Sequence, residues 1–177
     1  MNFEITKLEI PDVLLVEHTA YNDERGWFKE LWNEEAFNEL GINTRFVQAN
    51  ISKSRYGTLR GLHFQKPPFE QAKFVHCISG EIFDVAVDVR KGSPTFGRYV
   101  SVVLSGENHK SIFIPRGFAH GFLVTSREGA TVEYLVDNKY SKESESGIKW
   151  DDPTIGIKWP FKPVVTSNKD NTLFYLR

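Results

Sequence analysis

The chain has 177 residues, with 22 Lys plus Arg against 23 Asp plus Glu and a formal charge of −1. A chain of this length buries roughly 70% of the surface that it exposes when unfolded, which leaves room for one core and a cavity. The balanced charge excludes a global basic field for nucleic acid or anionic lipid, and no stretch approaches the ~20 apolar residues of a membrane span.

The opening MNFEITKLEIPD alternates apolar and charged residues instead of following a basic segment with an apolar run, so the cytoplasm is the expected location. NDERGWFKE (22–30) packs Arg25, Lys29 and Glu30 around Trp27 and Phe28. An arginine there suits bidentate hydrogen bonds to a phosphate and an aromatic suits stacking on a base. Taken alone, however, the segment reads as a charged turn with core aromatics. A short helix is predicted from Asn33, a capping residue, through Glu34 and Glu35 in the first turn and Phe37 and Leu40 on one face, to Gly41 at the end.

Almost everything that follows reads as strands of five to nine residues. Ser79-Gly80, Lys91-Gly92-Ser93-Pro94, Ser105-Gly106 and Glu128-Gly129 punctuate them, a spacing that suggests a sandwich or barrel. In EIFDVAVDV (81–89), Phe83, Val85, Val87 and Val89 share one face, and Ile82, Asp84, Ala86 and Asp88 the other. In TVEYLV (131–136), Tyr134 shares its face with Val132 and Val136 and is predicted to look inward. The single Cys77 excludes an internal disulfide framework, and its neighbours Val75 and Ile78 suggest a buried small hydrophobe. No linker, repeat or low-complexity run divides the chain, which is expected to form one domain over 1–177.

The chemistry centres on RGLHFQKPPFEQAKF (60–74), which gathers Arg60, His63 and Lys73. With Leu62 and Phe64 beside it, His63 is expected in an apolar setting that favours its neutral, proton-accepting form. Seen alone it reads instead as a core histidine bonded to backbone. Strict alternation puts Arg60 and His63 on opposite faces, so a shared site requires a bulge, for which Gly61 is the natural place. His63, His76 and His120 fall in or beside strands, but no His-x-His pair with a nearby carboxylate is present, and no metal is predicted. His18 and His109 have polar or loop-like neighbours and are expected to be solvated. Asp170, in SNKDN (167–171), reads in isolation as a surface-loop acid.

Taken in register, DERG-x-F-x-E, Q-x-N-x-S-x-S, RGLHFQ, P-x-x-x-Q-x-K, GEIFDVAVDVRKGSPTFG, IP-x-GFAHGFLV and WDDPTIGI-x-WP resemble the dTDP-4-dehydrorhamnose 3,5-epimerases, from about Asn22 to Asp170. Pro115, Gly117 and His120 also resemble the second cupin motif. The resemblance implies an all-β jelly-roll sandwich of the cupin type with a few short helices. It also implies a homodimer whose strands and side chains cross between subunits, and an isomerase that needs neither metal nor cofactor. The implied substrate is a dTDP-4-keto-6-deoxy sugar, inverted at C3 and C5. Carried over by position, the implied catalytic residues are His63 as base, Asp170 as its carboxylate partner, Tyr134 as the acid on the opposite face and Lys73 near the C4 oxygen. Arg25, Glu30, Gln48, Asn50, Arg60 and His120 match substrate-contacting positions, and Tyr140 an aromatic near the base. Three positions depart from the family pattern: Ala49 stands in place of an acid, Lys139 in place of an aromatic, and His76 where Arg is frequent. They bear on nucleotide binding and on the alternative of a 3-epimerase of another deoxysugar pathway. A noncatalytic sugar-nucleotide binder or a metal-dependent cupin oxygenase would be the readings from other classes.

Overall fold

The structure is a computed structural model describing residues 2–177. In chain order its elements are β1 (Phe3–Lys7), β2 (Leu14–His18), β3 (Tyr21–Asp23), β4 (Gly26–Phe28), α1 (Glu34–Glu39), β5 (Gln48–Ser54), β6 (Leu59–Gln65) and β7 (Lys73–Ser79). There follow β8 (Glu81–Asp88), β9 (Tyr99–Ser105), β10 (Lys110–Ile114), β11 (Phe118–Val124), β12 (Ala130–Val136), β13 (Glu145–Gly147) and α2 (Asn168–Asn171). A six-stranded sheet in the order β1-β2-β10-β7-β12-β5 faces a five-stranded sheet in the order β13-β6-β11-β8-β9. The pairings within both sheets are antiparallel, as a jelly-roll sandwich requires.

The core between the sheets comes from the alternating apolar positions. Val75 and Cys77 of β7, Ile112 and Ile114 of β10, and Val132 of β12 meet Ile82 and Ala86 of β8, Leu104 of β9 and Phe122 of β11. Cys77 is buried as expected, and burial pushes its thiol up to about 11, well clear of a reactive thiolate. A second cluster on the outer face of the six-stranded sheet packs Phe37 of α1 against Phe3, Phe74 and Phe113. Helix α1 begins where the sequence places it, with the Asn33 side chain accepting from the Ala36 N–H. The outward residues of β8, including Val85 and Val87, pack with Leu62, Ile148 and Ile155 beneath the C-terminal segment. Burying both faces explains why β8 carries apolar residues on each, with Asp84 and Asp88 the buried exceptions.

At the end of the sandwich where β5, β12 and β7 face β6 and β11, inward side chains turn polar, and a cleft replaces the core. Two features shape it. Between β6 and β11 the register runs His120↔His63 and then Phe122↔Arg60, so Gly61 and Leu62 together oppose Gly121. This bulge turns both Arg60 and His63 into the cleft while Leu62 packs on the outer face. Gly61 has φ +123°, and a Cβ there would lie 2.5 Å from the Gly121 Cα, so only glycine fits. The C-terminal segment then runs alongside β6, with Val165 O accepting from Leu59 N at 2.9 Å, and carries α2 over the cleft.

Candidate active site

His63 lies at the centre, and its Nε2–H donates to Asp170 Oδ1 at 2.6 Å. Asp170 is 3% exposed on the turn of α2, where Ser167 Oγ accepts from its N–H at 3.0 Å. Burial alone would raise the Asp170 carboxyl. The bond and charge of His63, with help from Ser167 and the Gly61 N–H, instead bring it below the ordinary aspartate value. A carboxylate on Nε2 leaves the Nδ1 lone pair of a neutral His63 as the free base. The apolar setting expected around His63 is not found: Leu62 and Phe64 pack on the far side of β6, and the ring stands among Asp170, Lys73 and Tyr134.

Lys73 is buried, with its Nζ donating to the His63 carbonyl at 3.3 Å. Burial pushes its ammonium down to about 8, while Asp84 and Glu145 pull the other way, so it remains a cation at neutral pH. Tyr134 projects from β12, and burial raises its phenol above the ordinary value with Arg60 opposing, so it holds its proton. His120, next to His63 across the ladder, donates from Nε2 to Asp84 Oδ2 at 2.8 Å. Burial lowers the pKa of this ring, and Asp84 counters it.

The cleft has two adjoining lobes of about 410 and 340 Å³, both lined by His63, Lys73 and Tyr134. Arg60 and His120 line the first; Gln48, Asn50 and Tyr140 line the second. Nine of the eleven residues singled out from the sequence therefore meet in one place. Arg25 and Glu30 do not. Arg25 lies at the tip of the β3–β4 hairpin, paired with Asp23 in solvent, and Glu30 accepts from Asn2 and Asn33. Trp27 and Phe28 are not core aromatics either, at 48% and 71% exposed.

Sequence reasoning missed Glu145 and Lys169, which pair with each other while each lines one lobe; Tyr140 Oη donates to Glu145 Oε2 at 2.9 Å. Nothing in the local pattern marks Glu145. Asp84 was visible, as a carboxylate between Ile82 and Ala86 on one face of its strand, although its bond to His120 was not. His18 corrects the expectation of solvation. It is 6% exposed and bonded to Ser111, and His109 is half-buried against Trp27. None of the three departing residues lines the cleft: Ala49 is on the outer face of β5, His76 on the outer face of β7, and Lys139 lies over the Phe69 ring. Among the described residues no group of three or more His, Cys, Asp or Glu side chains is arranged to hold a metal.

A small jelly roll with a histidine–aspartate pair, a buried lysine and a phenol around one cleft is a cupin-type sandwich whose side chains suit proton transfer. The family model for dTDP-4-dehydrorhamnose 3,5-epimerase matches residues 7–177. The chain is 52% identical to the dTDP-4-dehydrorhamnose 3,5-epimerase of Shigella flexneri over 94% of its own length and 92% of that protein's. It is 49% identical to that of Methanothermobacter thermautotrophicus, covering 99% and 95%. Its fold superposes with a TM-score of 0.94 on a Legionella pneumophila dTDP-6-deoxy-D-glucose-3,5-epimerase in complex with dTDP-4-keto-L-rhamnose, at 45% identity over 98% of this chain and 93% of that one. The chain belongs to the dTDP-4-dehydrorhamnose 3,5-epimerase family.

Proposed function

We propose that the chain converts dTDP-4-dehydro-6-deoxy-D-glucose to dTDP-4-dehydro-L-rhamnose by removing and returning protons at C3 and C5. The observation that carries this is the His63–Asp170 pair at 2.6 Å in a cleft that also holds Lys73 and Tyr134. A proton on carbon beside a ketone leaves only if the charge passing to oxygen is stabilised, and the buried Lys73 ammonium supplies the positive charge that does so. His63 takes the proton through Nδ1, and Asp170 steadies the imidazolium that forms. Inversion requires the new proton to arrive from the other face, and Tyr134, which keeps its proton at neutral pH, delivers it. Both centres flank the existing ketone, so the chemistry calls for no cofactor and no metal. Arg60, Gln48, Asn50, His120 and Tyr140 hold the nucleotide sugar along the two lobes.

The enzyme acts as a cytoplasmic homodimer, each chain one jelly-roll domain, and Arg25 and Glu30 serve the neighbouring subunit's cleft. Their absence from the cleft of their own chain supports this, as does a hairpin that exposes Tyr21, Trp27 and Phe28. Among the described residues no helix is long and apolar enough to cross a membrane.

Proton NMR of the keto sugar in deuterated water tests the reaction, with deuterium expected at both C3 and C5 and L-rhamno product formed. Label confined to C3 would make the enzyme a 3-epimerase. Mixing weakly binding Arg25→Ala with inactive His63→Ala chains, assayed at substrate well below the KM of Arg25→Ala, tests the shared site, because a mixed dimer regains one intact cleft. A mixture that gains no activity over Arg25→Ala alone after subunit exchange would place Arg25 in its own subunit's site.

A further inference from the structure

On the outer face of the six-stranded sheet, three adjacent strands place His18 (β2), Ser111 (β10) and His76 (β7) side by side. All three are buried, Ser111 completely. His18 Nε2 lies 2.7 Å from Ser111 Oγ, His76 Nδ1 lies 3.1 Å from the same oxygen, and His18 Nδ1 lies 3.1 Å from the main-chain oxygen of Glu30.

The direction of every bond follows from one fact: the Glu30 carbonyl can only accept. His18 Nδ1 must therefore carry a proton, and in a neutral ring Nε2 is then an acceptor. Ser111 has one hydroxyl proton and gives it to His18 Nε2, so its oxygen is left to accept from the His76 Nδ1–H. The chain runs from His76 through Ser111 and His18 to Glu30 and cannot run the other way. It needs both rings neutral, and burial, reinforced by the Lys29 charge, pushes each down to about 4. The reactive cleft lies on the other side of this sheet, and none of the three residues lines it.

Glu30 is where the excursion that begins after His18 returns. Between them lies the β3–β4 hairpin with Arg25, its aromatics facing solvent. The backbone enters at His18, folds out and comes back to be bonded by the side chain of that same residue. Asn2 closes the other side, accepting from Tyr21 Oη at 2.7 Å and from Thr19 N at 2.9 Å and donating to Glu30 Oε2 at 3.0 Å. From Glu30 the chain passes to Asn33, the cap of α1.

We propose that the His76–Ser111–His18 chain is a clasp that sets the angle of the 19–30 hairpin and so positions Arg25 and Glu30 for the nucleotide sugar. The inference rests on the proposed role of those two residues in substrate binding. His18, Ser111 and His76 are positioning residues that touch no substrate. The clasp acts on binding, because the residues that it places grip the nucleotide end and leave His63, Lys73 and Tyr134 undisturbed.

Steady-state kinetics of folded dimers test it. Ser111→Ala and His76→Leu, which each break the chain, are expected to raise KM by about tenfold or more with kcat within about twofold, as misplacement of a binding group does. His76→Asn puts an amide donor close to where Nδ1–H lay and is expected to return KM to within about threefold of the parent value, as expected when the bond is remade. In an Arg25→Ala, Glu30→Ala background Ser111→Ala is expected to add nothing further, since the positioned groups are gone. An unchanged KM in Ser111→Ala, equal KM values for His76→Leu and His76→Asn, or a full Ser111→Ala effect in the Arg25, Glu30 background would each overturn the clasp. Should Ser111→Ala lose its circular-dichroism signature, the His76→Leu and His76→Asn pair decides. A parent protein that turned over no dTDP-keto sugar would instead defeat the epimerase reading itself, so the two failures are distinct.

Discussion

Lys73 Nζ donates to the main-chain carbonyl of His63 at 3.3 Å, so one residue of β6 carries the base on its side chain and anchors the cation by its backbone. Lys73 on β7 thus reaches across from the facing sheet, and its ammonium stands beside the imidazole proposed as base, as removal of a proton beside a ketone demands.

Rate should therefore follow the charge on Lys73. Burial brings it down to about 8, so kcat is expected to hold through pH 7 and fall about tenfold per pH unit above the pKa. Lys73→Met should lower kcat by about 10²–10³ and remove the alkaline limb. A pH–rate profile of both proteins checks this; an alkaline limb that persists in Lys73→Met belongs to another group.

His63→Ala should abolish exchange at C3 and C5 together, with a loss of about 10²–10⁴ or more in kcat and little change in nucleotide affinity. Asp170→Asn should show the same pattern less severely, because the imidazole loses its anionic partner but stays in place. Deuterium uptake followed by proton NMR reports both. Rapid uptake in His63→Ala would identify a different base.

Tyr134→Phe keeps the base, the Lys73 charge and nearly the same volume. Deuterium should still enter the substrate, but inversion should lag, most of all at C5, because the enolate recovers its proton from the face it left. Comparing exchange with product formation by NMR decides the matter. Inversion of both centres at the parent rate would reduce Tyr134 to a packing residue.

Gly61→Ala should cost more than any other single methyl in the cleft wall. The residue has φ +123°, and the new Cβ would meet the Gly121 Cα at 2.5 Å, so backbone must move. A loss of about 3 kcal/mol, or about 6–12 °C in Tm, is expected together with lost activity, since the bulge aims both Arg60 and His63. Differential scanning calorimetry with an activity assay tests it.

Acid should weaken the fold through His18 and His76. Each has a folded value of about 4 against 6.5 for the unfolded chain, so as pH falls the unfolded state binds these protons first. Stability is then lost between about pH 6.5 and 4, on the order of 2 kcal/mol per ring. Urea midpoints at pH 7, 5.5 and 4.5 should drop in the parent protein and drop less in His18→Asn. Equal slopes would mean that His18 takes up its proton without strain in the fold.

Local spacing was sufficient wherever one strand or one turn decides the outcome. The two faces of β8, the inward aspect of Tyr134, the Asn33 cap, the burial of Cys77 and the need for a bulge at Gly61 are all consequences of period, cap chemistry and backbone sterics within a few residues. The ordered motifs carried the family. The tertiary structure alone decided which distant segments lie edge to edge. Pairing of the C-terminal segment with β6 brings Asp170 to His63 across 107 positions and sets Lys169 against Glu145. The alignment of β2, β10 and β7 buries His18 with Ser111 and His76, where polar sequence neighbours suggested solvent. Arg25 and Glu30 stand away from the cleft because the hairpin that carries them leaves the sheet at His18. Sequence period reports which way a side chain points from its own strand; what it meets there is set by long-range pairing and by the hydrogen-bond partners that buried polar groups require.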